Sequence, residues 1–138
     1  RHIWRNEDEC PGCWQDSPMA RAVFDYVGGA DWSFSRQFIY GQERGEVGKL
    51  ALAVAATADT DPAAAAILQE AGRELARLAL ALVKRFGPRP VALAGRVTEL
   101  HPMILAALRA ALPPDTTLTQ TGGQAHHAAA RLSARTAS

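Results

Sequence analysis

The chain has 138 residues, 48% of them apolar, with fifteen Lys and Arg against fourteen Asp and Glu for a formal charge of +1. That is one domain's worth of chain with enough apolar matter for a buried core. A near-neutral charge with no basic block argues against a nucleic-acid surface, no apolar run is long enough to span a bilayer, and two cysteines make no disulfide framework, so a cytoplasmic protein is expected.

Residues 1–17 are polar, with tryptophan and cysteine islands and no clear period, and read as loop. The start is polar and charged without a leader pattern, and it opens on Arg1, which suits a trimmed chain or part of something longer. From Pro18 to Val27 a short helix is expected: Met19, Val23 and Val27 share a face, Ser17 caps, and Pro18 suits the first turn. Gly28-Gly29 ends it. Residues 31–40 alternate in part through Trp32, Phe34, Phe38 and Tyr40, but helical flanks favour a short helix. Residues 46–58 read as a helix with Val47, Leu50, Val54 and Ala58 on one face. The clearest element follows: Asp61 caps, Pro62 opens, and the helix runs through Phe86 on an apolar stripe of Ile67, Ala71, Leu75, Leu78, Leu82 and Phe86. Arg73, Arg77 and Lys84 lie off the stripe, and Gly87-Pro88 stops the helix.

Val91 to Ala94 is then a strand. Residues 102–112 form a helix with Ile104, Leu105, Leu108 and Leu112 inside, and residues 116–120 a second strand. Gly122-Gly123 turns the chain into a last helix over 124–134, and 135–138 is a disordered tail. Helices alternating with strands predict an α/β class with two parallel strands, near 91–94 and 116–120, joined by a crossover. Two parallel strands make no stable sheet alone, so further strands are expected beside them.

The stretch around Gly95 carries the chemistry. An apolar strand, a glycine turn and a helix often build a nucleotide site at the carboxyl end of a buried strand. Lacking a Cβ, Gly95 can turn sharply or lie against a flat ligand. The Arg96 guanidinium can stack on a base, reach a phosphate, or block the pocket by its bulk. Read alone, the pattern favours a plain strand-to-helix turn at Gly95. Cys10-Pro11-Gly12-Cys13 has zinc-knuckle or redox spacing, but a structural zinc needs four ligands and the chain has no second pair, so two unpaired loop thiols are expected. His126 and His127 are adjacent and diverge on a helix, and His101 before Pro102 reads as a helix start rather than a general base. The aromatic group of Trp32, Phe34, Phe38 and Tyr40 reads as core, with the lining of a sugar site as the alternative.

Three stretches carry a family resemblance. Trp32…Tyr40-Gly41…Arg44…Val47-Gly48-Lys49-Leu50-Ala51, followed by Asp61-Pro62…Ile67-Leu68…Ala71-Gly72, resembles a helical segment. Val91-Ala92-Leu93-Ala94-Gly95-Arg96-Val97 resembles an adenosine turn usually written with two glycines. Ala128-Ala129-Ala130-Arg131-Leu132 resembles a closing helix usually opened by Gly-Ala-Ala. Together they resemble the carboxyl-terminal part of the BadF/BadG/BcrA/BcrD-type ATPase family, and within it the N-acetylglucosamine and glucosamine kinases. A fourth stretch, Glu7-Asp8-Glu9-Cys10-Pro11-Gly12-Cys13-Trp14, is similar to that family's Gly-Asp-Glu-Gly-Ser-Gly and following Tyr-Trp, with Glu7 and Cys10 in place of glycines and Pro11 in place of the serine.

The resemblance implies the actin/hexokinase/Hsp70-like fold, two ribonuclease-H-like lobes with the nucleotide between them. Residues 1–17 would be an irregular segment with a degenerate substrate motif, and 18–134 the carboxyl-terminal portion of an actin-like ATPase lobe. It implies ATP with magnesium as cofactor and an amino sugar as substrate. Val47, Gly95, Arg96 and Leu100 would contact the nucleotide, and Asp8 the sugar. The phosphate loops, catalytic aspartate and magnesium ligands fall outside this chain, so it is expected to be inactive without a missing amino-terminal lobe. Two alternatives stand beside this: the reductase-activating branch of the family, whose cluster-binding cysteines are set differently, and a non-catalytic remnant or helical interaction module. Exposed strand edges would favour association, with the missing lobe or with a second copy.

Overall fold

A computed structural model describes residues 1–121. It is rich in helix and contains a two-stranded parallel sheet, an α/β arrangement at the coarsest level. The helix expected over 124–134, its closing-helix match, His126, His127 and the 135–138 tail lie outside the described residues. The chain divides into two compact units, Arg1–Leu68 and Gln69 onward.

The first unit is helical. It holds α1 (His2–Glu9), a tight turn over Cys13–Asp16, α2 (Pro18–Val27), α3 (Trp32–Gly41), α4 (Arg44–Gly48), α5 (Leu50–Thr57) and the first turns of α6 (Pro62–Phe86). The expectation of loop over 1–17 is thus corrected. Ile3, Trp4 and Glu7 are half-buried on one face of α1, where they lie three to four residues apart. α2 begins and ends as expected: the Ser17 hydroxyl accepts from the Ala20 amide at 3.1 Å, and Gly28 closes the helix at φ +100°. Asp31 caps α3 by accepting from the Ser33 amide at 2.7 Å.

Two further expectations change here. The helix foreseen over 46–58 is two helices meeting at Lys49, directly after Gly48, a residue type that holds a helix poorly. On α3 the buried residue is Ser35; Trp32, Phe34 and Tyr40 are exposed and Phe38 is half-buried against Tyr26, so of the aromatic group only Phe38 lies partly inside. The core of this unit comes instead from Met19, Ala20 and Phe24 on α2, with Ala58, Ala64 and Leu68. Phe24 is its aromatic centre. Trp4 and Trp14 meet its ring at 5.5 and 5.4 Å, and the Trp4 indole N–H donates to the buried Ser35 hydroxyl at 3.1 Å.

The second unit is a strand–helix–strand arrangement under the rest of α6. β1 (Val91–Ala94) leads through a short turn over Val97–Glu99 into α7 (Pro102–Ala111) and then β2 (Leu118–Thr121). The strands are parallel, Val91 opposite Leu118 and Ala94 opposite Thr121. Ala76, Ala79, Leu108 and Leu112 form the core, with Leu75, Leu80, Val91, Leu93, Leu105 and Leu118 packed against it. Leu105, expected inside, is only half-buried.

α6 spans the length expected but buries a different face. Its buried positions are Ala64, Leu68, Gly72, Ala76 and Ala79, while Leu78, Leu82 and Phe86 are 54, 59 and 59% exposed and Ile67 is exposed as well. The reason is steric. A Cβ on Gly72 would run into the Ile104 carbonyl oxygen and come within 2.7 Å of the Ala107 Cβ. In the second unit small residues let α7 approach the α6 backbone, and a face of leucines would hold it off. Arg73 and Arg77 pair with Glu70 and Glu74 on the exposed side.

Candidate functional site

The carboxyl end of β1 runs into Gly95 at φ +106°, a left-handed conformation that side chains resist. A Cβ there would meet nothing within 4 Å, so glycine is required by the turn and not by crowding, and the backbone faces open space. Arg96 follows with its side chain 88% exposed and its Nε 3.4 Å from the Glu99 carboxylate. At that separation the guanidinium keeps donors free for a further acceptor. Leu100 is half-buried at the end of the turn. His101 then caps α7, its Nδ1 accepting from the Met103 amide at 3.2 Å, with Pro102 in the first turn. That is the helix start expected of it.

β2 ends beside the same turn. The parallel register sets Gln120 opposite Leu93, and the Gln120 amide donates to the Thr98 hydroxyl at 3.2 Å. Gly95, Arg96, Thr98 and Gln120 therefore share one ledge outside the carboxyl ends of both strands, the place where open α/β sheets hold ligands. Thr98 and Gln120 were not legible as site residues, because their pairing depends on strand register. Of the positions singled out from sequence, Gly95, Arg96 and Leu100 come together here. Val47 is half-buried on α4 and Asp8 is exposed on α1, both in the first unit.

The first unit has its own concavity of about 450 Å³, walled by Trp14 with His2, Asn6, Asp16 and Thr60. Its rim is fixed by Asp61, which sequence reasoning assigned only as the cap of α6. One Asp61 oxygen accepts from the Ala63 and Ala64 amides at 2.9 and 3.3 Å. The other accepts from the Ser17 hydroxyl at 2.6 Å and the Met19 amide at 2.9 Å. A single carboxylate thus caps α6 and ties down the start of α2. Burial pushes its pKa up, but the hydrogen bonds from Ser17, Met19, Ala63 and Ala64 outweigh burial and hold it below the ordinary carboxylate value. With those four bonds made, Asp61 is a structural anion and not a ligand group.

The glycine-rich substrate motif expected over residues 7–14 takes another form. Glu7-Asp8-Glu9 lies on α1, and Cys10 and Cys13 are joined by a disulfide, which corrects the expectation of two unpaired thiols. Their Cα atoms are 5.6 Å apart, within bridging distance. Among the described residues no three His, Cys, Asp or Glu side chains gather into a group able to hold a metal ion. No single described helix is long and apolar enough to cross a membrane. No family model, no curated protein and no solved structure matches the chain.

Proposed function

We propose that the chain is the carboxyl-terminal part of an ATP-dependent amino-sugar kinase of the BadF/BadG/BcrA/BcrD type, contributing the adenosine-side wall of its nucleotide cleft. The observation that carries this reading is the open, left-handed Gly95 turn at the carboxyl end of a parallel strand, with a largely exposed arginine beside it. Gly95 offers a flat backbone to a base, Arg96 a planar cation for a base or phosphate, and Leu100 an apolar floor.

ATP supplies the transferable phosphoryl group when bound, with magnesium to neutralise its charge. This chain's share is to seat the nucleoside. On the substrate side Asp8 keeps an exposed carboxylate that can accept from a sugar hydroxyl. The actin-like, ribonuclease-H-like lobe belongs to the same proposal. It is supported by a sheet covered on the Val91, Leu93 and Leu118 side while Ala92, Ala94 and Thr119 are exposed, since parallel strands ordinarily have both faces covered.

A second reading, a non-catalytic interaction module, draws on the exposed Leu78, Leu82 and Phe86 of α6. Calorimetric titration of the full chain with ATP separates the two. The kinase-part reading expects saturable heat that Arg96→Ala weakens and Gly95→Val abolishes. No heat at millimolar ATP, with concentration-dependent self-association by sedimentation, would leave the interaction module.

A further inference from the structure

Cys10 and Cys13 bracket Pro11-Gly12 directly after α1 and are bridged. The loop they close is held a second time. Gly12 sits at φ +89°, and the amides of Gly12 and Trp14 donate to the two oxygens of the Glu7 carboxylate at 2.8 and 2.6 Å. The loop's downstream end delivers Trp14, whose ring meets Phe24 edge-on at 5.4 Å, and Cys13 and Trp14 wall the first unit's cavity. The two cysteines are unequal: Cys10 is exposed and Cys13 half-buried. With no third metal-ligating group gathered beside them among the described residues, the chemistry open to this pair is exchange of its disulfide with thiols.

We infer that Cys10–Cys13 is a thiol–disulfide exchange site, reduced by a dithiol, whose state sets the seat of Trp14 and with it the wall of the cavity. A thiolate of the reductant attacks the exposed Cys10 Sγ. The protein disulfide breaks, and Cys13 leaves as a thiolate that takes up a proton. The reductant's second thiol, deprotonated, then attacks its own sulfur in the mixed disulfide and releases Cys10, which is protonated in turn. The protein gains two electrons and two protons, and the dithiol becomes a disulfide. Glu7, Asp8 and Glu9 precede the pair on α1, whose carboxyl end meets Cys10, and Asp16 follows. That negative surround repels an incoming anionic thiolate, so attack on Cys10 is slowed. Once open, the loop keeps its Glu7 bonds and the backbone bonds of its tight turn but loses the covalent restraint that fixes the Trp14 ring on Phe24.

The test uses the full chain and dithiothreitol, followed by alkylation with mass spectrometry and by near-ultraviolet circular dichroism. Without reductant both cysteines resist alkylation. With it both react, Cys10 faster than Cys13 given their exposures. The dichroism of the aromatic cluster falls on reduction, and the same titration of Trp14→Phe shows no such fall. The Cys10→Ser/Cys13→Ser variant, if folded, begins with the reduced spectrum. Rapid alkylation without reductant, identical spectra before and after reduction, or a change that persists in Trp14→Phe would each overturn the inference.

Discussion

The two units are held by different means. The first adds point fasteners to its core around Phe24: a disulfide between Cys10 and Cys13, a carboxylate at Asp61 reaching back to Ser17 and Met19, and an indole at Trp4 bonded to a buried serine. The second is held by area, through alanines and leucines around Ala76, Ala79, Leu108 and Leu112, with one glycine on α6 where a Cβ would strike α7. Point fasteners are directional and depend on charge and redox state. Packed area depends on shape alone, so single substitutions should separate the two units by the kind of damage they suffer.

The largest effect is expected at Gly72. A valine there must displace the Ile104 carbonyl and the α7 backbone, neither of which is a flexible side-chain end, so Gly72→Val should cost about 3 kcal/mol or more and unfold much of the second unit. Urea unfolding monitored by circular dichroism measures it. A loss below about 0.5 kcal/mol would mean that the helices do not approach closely and that the contrast between the units is false.

Asp61 comes next. Asp61→Ala removes an acceptor from four donors and should destabilise by roughly 2–4 kcal/mol, combining lost caps with buried amides left unpaired. The folded carboxyl titrates below its unfolded value, so its stabilisation is fully present above the unfolded pKa of about 3.9 and is lost as pH falls through the folded value. Stability of the first unit should therefore drop below about pH 4, and Asp61→Asn, which keeps a capping oxygen but not the charge, should flatten that drop. An unchanged acid limb in Asp61→Asn would assign the acid sensitivity to other groups.

What the sequence disclosed follows the same divide. Caps and stops were plain, because Ser17-Pro18, Asp61-Pro62, Gly87-Pro88 and His101-Pro102 are local signals and the structure uses each of them. β1, β2 and their parallel pairing followed from two short apolar runs separated by a helix, although β2 begins at Leu118 and not at residue 116. The burial of α6 departs from its leucine stripe, of which Leu75 packs on the core while Leu78, Leu82 and Phe86 face solvent. Gly72 and its alanines are a packing signal only once α7 is known to lie against them. Long-range fasteners were also hidden: nothing local to Ser17 announces Asp61, forty-four positions away. Of the candidate site, the Gly95 turn was legible from one residue type at the end of a strand, whereas the Thr98–Gln120 pair and the Trp14 cavity depend on register and tertiary packing.

The smallest expected effect sharpens the comparison most. Leu82 and Phe86 are each 59% exposed, and Ile104, on α7, is 1% exposed. Judged by residue type alone, all three would matter equally. Judged by burial, Ile104→Ala should cost about 2–5 kcal/mol as a cavity opens. Leu82→Gln with Phe86→Gln should stay within about 0.5 kcal/mol, since both side chains already face solvent. Chemical denaturation of the two variants decides between residue type and position. Sedimentation of the glutamine pair adds a second reading: reduced self-association at unchanged stability would mean that this apolar side of α6 meets another molecule in solution, whereas a large loss of stability would mean that it is packed within the chain and that the buried alanine face is not the whole of the second unit's core.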